Sequence, residues 1–236
     1  DRLFKLKEQH AVKAKTVVFI QCVGSREGDR MYCSKVCCTH SVQSAIDLKQ
    51  EDASRMVYIL YRDMRTYGQR ESLYKKAREL GVIFINYETH GKPTVEMEHK
   101  QVNVGVWDHI LHRPLRIKAD MVVLATAIVA NPDAEKLNKI YKVSIDGDGF
   151  FQEAHAKLRP VDFANDGLFV AGLAHYPKPV EESVAQALAA SGRAATLLSR
   201  SAVSLDAVKA EPDLRYCDGC ALCVDVCPYH AIELVE

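Results

Sequence analysis

The chain has 236 residues, 48% hydrophobic and 26% charged, and its 31 basic side chains balance 31 acidic ones. That composition is ordinary for a globular protein and gives no electrostatic reason to expect nucleic acid or an anionic membrane surface. The apolar runs Val17 to Ile20 and Met121 to Ala130 are too short to span a bilayer, and the charged stretch Asp1 to His10 lacks the apolar core of a secretory signal, so a cytoplasmic protein without a membrane span is expected.

In chain order, Val17-Val18-Phe19-Ile20 reads as a short buried strand of the parallel type. A helix is expected from about Ser34 to Gln50, with Val42, Ala45, Ile46 and Leu48 as its apolar positions. Met56 to Tyr61 is a second strand. Glu71 to Leu80 is a second helix, closed by Gly81 in the usual C-cap place. Val82 to Ile85 is a third strand. This βαβαβ order predicts a parallel sheet with right-handed crossovers.

From Lys92 to Asp120, Val95, Val102, Val104 and Val106 carry the period-two alternation of short antiparallel strands. Further strands are expected at Asp120 to Ala125 and at Gly167 to Gly172, with a short helix from Asp133 to Leu137 between them. Pro179 to Ser199 is an alanine-rich helix with Glu181 and Glu182 in its first turn. Its small residues suit close packing on a sheet. Ser201 to Pro212 reads as a linker. Asp213 to Glu236 is too small to bury a core, so a metal cluster is expected to stabilise it. Both ends of the chain are expected to continue in a longer protein.

All eight cysteines sit in two groups, separated by the cysteine-free stretch Thr39 to Tyr216. Crowded thiols without a signal sequence argue for ligands rather than disulfides. Cys217, Cys220, Cys223 and Cys227, followed by Pro228, form the ferredoxin run C-x2-C-x2-C-x3-C-P, which holds iron–sulfur. Zinc motifs place two C-x2-C pairs well apart, which this run does not. Cys227 is open to two uses, closing the same cluster or ligating a second one. Ala231 to Leu234 is similar to the short strand that follows such a loop.

Cys22, Cys33, Cys37 and Cys38 fit no standard zinc or ferredoxin spacing. Cys22 follows the first strand, at the sheet edge where open α/β folds bind ligands. With a helix beginning near Cys33, Cys33 and Cys37 share a face and the thiols gather at its positive end. Four sulfur ligands there suit a [4Fe–4S] cluster. The alternative is that Cys37 and Cys38 are small buried helix residues. Cys22 also stands where the first glycine of a dinucleotide loop would be, so NAD(P) is not expected. Asp146 to Gly149 reads as a turn, Arg62, Arg65 and Arg70 as a solvated basic face, and the histidines as scattered.

Gln21 to Arg26, Tyr32 to Cys38, Phe169 to Ala174 and Pro177 to Ala187 together resemble the C-terminal part of the A subunit of heterodisulfide reductase, an iron–sulfur flavoprotein family with a thioredoxin-reductase-like core. The resemblance implies an α/β fold in which a Rossmann-like inserted domain, residues 1–118, carries the N-terminal Fe–S site. The C-terminal part of an FAD-binding domain would follow at 119–200, then a linker at 201–212 and a ferredoxin-like [4Fe–4S] segment at 213–236. It implies [4Fe–4S] ligation by all eight cysteines. It implies FAD contacts from Ala125, Thr126, Gly172, Leu173, Lys178, Glu182 and Ser183, although Leu173 stands where related flavoproteins have Asp. Full FAD binding is expected to need the G-x-G-x-x-G half-site, which this chain lacks.

The implied activity is electron transfer, with flavin-based bifurcation as its developed form. The implied partners are other redox subunits of the heterodisulfide-reductase, hydrogenase or dehydrogenase type, and ferredoxin. No catalytic residue is assigned. The alternatives are an iron–sulfur carrier or docking module without flavin, and an NAD(P)H oxidoreductase.

Overall fold

The computed structural model describes residues 13–203, 211–229 and 231–234. The chain divides into two compact units, Asp1–Ile128 and Val129–Glu236.

The first unit holds strand β1 (Thr16–Val23), helix α1 (Cys37–Glu51), β2 (Met56–Tyr61), α2 (Glu71–Glu79), β3 (Ile83–Asn86), β4 (Thr94–Glu98), β5 (Gln101–Asp108), β6 (Arg113–Ala119) and β7 (Met121–Thr126). Strands β3, β2, β1 and β7 make a parallel sheet in that order, and β4, β5 and β6 make an antiparallel one. The parallel strands are apolar on both faces because both faces are covered. On one side Val17, Phe19, Val57 and Ile59 pack against Val42, Ala45 and Ile46 of α1 and Ala77 of α2. On the other, Val18, Ile20, Leu60 and Ile85 meet Val104, Val106, Ile117 and Ala119 of the antiparallel sheet. Each buried Val, Leu, Ile or Phe among them contributes roughly 1.5–3 kcal/mol.

Two expectations about this unit shift. Helix α1 begins at Cys37, not near Ser34. Lys35 adopts a left-handed φ of 60°, and Val36 N–H closes onto the Ser34 carbonyl at 2.7 Å, so the chain turns tightly before the helix starts. Cys33 and Cys37 therefore do not share a helix face. Strand β7 pairs with β1, Val17 opposite Met121 through Ile20 opposite Leu124. It completes the first sheet, so this unit runs past residue 118 to Ile128.

The second unit contains α3 (Ala134–Tyr141), a single 3-10 turn at Gly172–Ala174, α4 (Val180–Leu198) and α5 (Leu222–Val226). Its small core is Val143, Phe163 and Val170, with Phe151 and Leu168 packed against it. The expected strand from Gly167 to Gly172 reduces to one bridge between Asp162 and Phe169. Left-handed glycines at Gly167 (φ 85°) and Gly172 (φ 69°) bracket it and stop an extended run. Helix α4 buries none of its residues. Instead of packing closely on a sheet, it is held by polar contacts: Arg193 Nε reaches the two carboxylate oxygens of buried Asp162 at 3.1 and 3.2 Å. Asp146 closes the turn read at that point by accepting the N–H groups of Asp148 and Phe150. The expected strand Ala231–Leu234 has no regular structure, and most of the expected linker lies outside the described residues.

Candidate iron–sulfur sites and a buried polar network

The first site is built at the carboxyl end of β1. Between Ile20 and Val23 the register slips, three steps on β1 facing two on β7 from Leu124 to Thr126. This bulge puts buried Cys22 at a left-handed φ of 59° and re-aims its side chain. The following loop folds back on itself. Arg26 N–H donates to the Tyr32 carbonyl at 3.1 Å, and Glu27 and Arg30 bridge. Tyr32 Oη donates to the Ile128 carbonyl at 2.8 Å, and Ile128 N–H donates to Ser34 Oγ at 2.9 Å. These two bonds anchor the segment carrying Cys33 beside the end of β7.

Cys37 and Cys38 open α1, which has no side-chain N-cap and no acidic residue in its first turn. Its first N–H groups and positive end are therefore available to an anionic group. Cys38 is buried and its thiol points at the Asp63 carbonyl, 3.8 Å away. Burial, and after it the neighbouring Cys38, Cys33 and Cys22, push the Cys37 thiol up to about 12. Burial also raises Cys22 and Cys38, the former opposed by Arg26. Each thiol is thus within electrostatic reach of others, and all are free rather than in disulfides.

The donor set is all sulfur, as iron–sulfur groups require, with a guanidinium beside it to offset negative charge. Among the described residues no three His, Cys, Asp or Glu side chains are placed to hold a single metal ion. Arg62, expected on a solvated face, instead donates from Nη1 to the Arg26 carbonyl at 2.7 Å and shapes this loop.

The C-terminal cysteines lie on a strongly exposed segment. Gly219 (φ 74°) and Ala221 (φ 62°) turn the chain, Asp218 Oδ1 accepts Cys220 N–H at 3.2 Å, and Cys227 Sγ accepts Ala231 N–H at 3.4 Å. Cys217, Cys220 and Cys223 are exposed and Cys227 is half-buried. Little but a bound group is there to order the loop.

The residues expected to contact FAD separate into two places. Ala125 and Thr126 end β7 in the first unit, where Thr126 is paired with Val23 beside the cysteine loop. Gly172, Leu173, Lys178, Glu182 and Ser183 belong to the second unit, on the 3-10 turn and around the start of α4.

There Lys178, 4% exposed, belongs to a buried network that sequence reasoning misses. Its Nζ donates to Gln186 Oε1 at 2.5 Å and to His175 Nδ1 at 3.2 Å. Gln186 Nε2 donates to the same Nδ1 at 2.6 Å, and Gln186 Oε1 also accepts Gly172 N–H at 2.9 Å. Two donors on Nδ1 leave the ring proton on Nε2, which bonds Glu153 Oε2 at 2.7 Å. The His175 contact holds the Glu153 carboxyl below the usual range despite its desolvation. The network lines a cavity of about 400 Å³ with Tyr176, Glu182 and Ala185. The available signal was the spacing His175-x-x-Lys178 next to a helix start; Gln186 and Glu153 had none.

Residues 210–233 match the 4Fe-4S binding domain family. The chain is 39% identical over 231 residues to an iron–sulfur A subunit of CoB–CoM heterodisulfide reductase, the second of that name in Methanopyrus kandleri, covering 95% of this chain and 35% of that protein. It is 40% identical over 227 residues to the iron–sulfur A subunit of CoB–CoM heterodisulfide reductase of Methanocaldococcus jannaschii, covering 93% and 34%. Among solved structures, T. acidophilum thioredoxin reductase aligns with a TM-score of 0.47 at 16% identity, over 78% of this chain and 51% of that one. The chain spans about a third of the length of the curated relatives it matches.

Proposed function

The chain is like the A subunit of heterodisulfide reductase along nearly its whole length, and on that premise we propose that it transfers electrons through two [4Fe–4S] centres and FAD within a larger oxidoreductase. The observation that carries this reading is the gathering of four free thiols at one sheet edge, at the uncapped start of α1, in a chain whose tail also matches a 4Fe-4S binding domain. Iron–sulfur groups supply one-electron steps, and a flavin exchanges them with two-electron chemistry. No helix among the described residues is long and apolar enough to cross a membrane.

In this reading Cys22, Cys33, Cys37 and Cys38 bind one group and Cys217, Cys220, Cys223 and Cys227 the other. Burial of Cys22 and Cys38 excludes water from the first site, while the exposed tail is the place for exchange with a partner. The left-handed Gly172 brings backbone close to a phosphate or ribityl chain, and the start of α4, with Glu182 and Ser183, presents N–H groups to FAD. Lys178 supplies the buried positive charge there. The redox partners are subunits of the heterodisulfide-reductase or hydrogenase and dehydrogenase type, and ferredoxin, which appears in the name of the related protein from Methanothermobacter thermautotrophicus. Two one-electron centres on one chain suit division of an electron pair, the bifurcating form of this activity.

The test is iron, acid-labile sulfide and FAD per chain after anaerobic purification. About eight irons, two clusters of about four, are expected, with loss of about half in Cys22→Ser and, separately, in Cys220→Ser. About four irons, unaffected by Cys22→Ser, overturn the first site. Two full clusters without FAD, even when FAD is added, leave an iron–sulfur carrier instead.

A further inference from the structure

Polar atoms beside Cys22 are buried without partners. Gln21 is 1% exposed, and neither Nε2 nor Oε1 of its side chain has a hydrogen bond; Arg26 Nη1 is likewise buried and unpaired. A buried donor left unsatisfied costs about 1–3 kcal/mol, so such groups point to a ligand or a water that completes them.

Their positions are specific. Gln21 directly precedes Cys22, and its backbone carbonyl is held by the Tyr87 hydroxyl at 2.5 Å. By strand alternation its side chain continues the row of Val17 and Phe19, which pack against α1, and Cys37 and Cys38 open that helix. Arg26 is fixed from its other side by Asp63, 2.5 Å from Nη2, and its positive charge favours a thiolate at Cys22.

We propose that Gln21 Nε2 and Arg26 Nη1 donate hydrogen bonds to the sulfur atoms of an iron–sulfur group held by Cys22, Cys33, Cys37 and Cys38, and thereby raise its reduction potential. The inference rests on the reading of that site as an iron–sulfur centre. The added electron makes the group more negative, so donors and positive charge aimed at its sulfurs favour the reduced form. Gln21 and Arg26 are positioning residues here: they ligate nothing.

The experiment uses the full chain in a Cys220→Ser/Cys223→Ser background, so that the remaining EPR signal arises from the N-terminal site. Gln21→Met keeps length and removes the donor; Gln21→Glu keeps shape and adds negative charge. Iron content and the EPR-monitored midpoint potential are measured for each. Gln21→Met is expected to retain iron while its reduction equilibrium falls about tenfold, about 59 mV for one electron. Gln21→Glu is expected to fall further, and Arg26→Gln, which leaves the strand untouched, to fall as well.

Retained iron with wild-type potential and line shape in all three variants overturns the inference and assigns a water to Gln21. Should Gln21→Met fail to fold by circular dichroism, the Gln21→Glu and Arg26→Gln potentials decide. Absence of iron from the background chain overturns the reading of the site itself, and this inference with it.

Discussion

The hydroxyl of Tyr87, at the end of β3, donates a 2.5 Å hydrogen bond to the carbonyl of Gln21, one residue before Cys22. Both residues are buried. Strand β2 lies between β1 and β3, so this bond ties across it the point where β1 bulges to present its cysteine. Tyr87→Phe removes the donor and leaves the carbonyl unpaired. A loss of about 1–3 kcal/mol in unfolding free energy is expected, measured by denaturant titration, with iron occupancy lost from the N-terminal site and kept at the tail.

The Cys37 thiol, shifted from 9.0 to about 12 chiefly by burial, makes the iron-free chain sensitive to alkali. A raised folded pKa means that the folded state holds the proton longer than the unfolded one. The stabilisation is therefore complete below pH 9 and is lost as pH rises through 9 to about 12. The melting midpoint of the iron-free chain should fall across that window, and Cys37→Ala should fall less. By the same sign, metal uptake at pH 7 must displace protons from this site. Calorimetric titration in buffers of different ionisation enthalpy will show proton release that shrinks in Cys37→Ala.

Gln186 serves three groups at once: the Gly172 N–H, Lys178 Nζ and His175 Nδ1. Gln186→Leu leaves the Gly172 turn and a buried cation short of partners. A destabilisation of about 1–3 kcal/mol is expected, together with a drop in FAD retained per chain. Gln186→Glu, which keeps the acceptor for Gly172 and Lys178, should recover much of the stability.

Iron removal should act on the two cysteine groups differently. Among the described residues the tail is mostly exposed and contributes to no core cluster, whereas the first sheet is buried on both faces. Chelation is expected to make residues 211–229 rapidly cleavable by protease, while the far-UV circular dichroism changes little. Cys220→Ser should reproduce that cleavage without chelator.

Much of the first unit is legible in the residues. Apolar runs at β1, β2 and β3, separated by helical stretches, have the pattern of a parallel sheet, because strands covered on both faces must be apolar on both. The valine alternation of β5 marks a strand with one covered face, where Val104 and Val106 are buried, whereas Val95 on β4 lies exposed. The second unit is less legible. Alanine at close spacing in α4 suggests burial, yet the helix is held by Arg193 and Gln186 and buries nothing. Small side chains permit close packing without compelling it.

By itself the sequence determined the parallel-sheet pattern and which residues carry sulfur, because hydrophobic period and ligand spacing are local properties of the chain. Only the tertiary structure decided where α1 starts, that β7 completes the first sheet, that His175, Lys178, Gln186 and Glu153 form one network, and that the Gln21 side-chain amide and Arg26 Nη1 are buried without partners beside Cys22. Those facts depend on burial and on contacts between residues far apart in the chain, such as Gln21 and Tyr87, which no local pattern encodes.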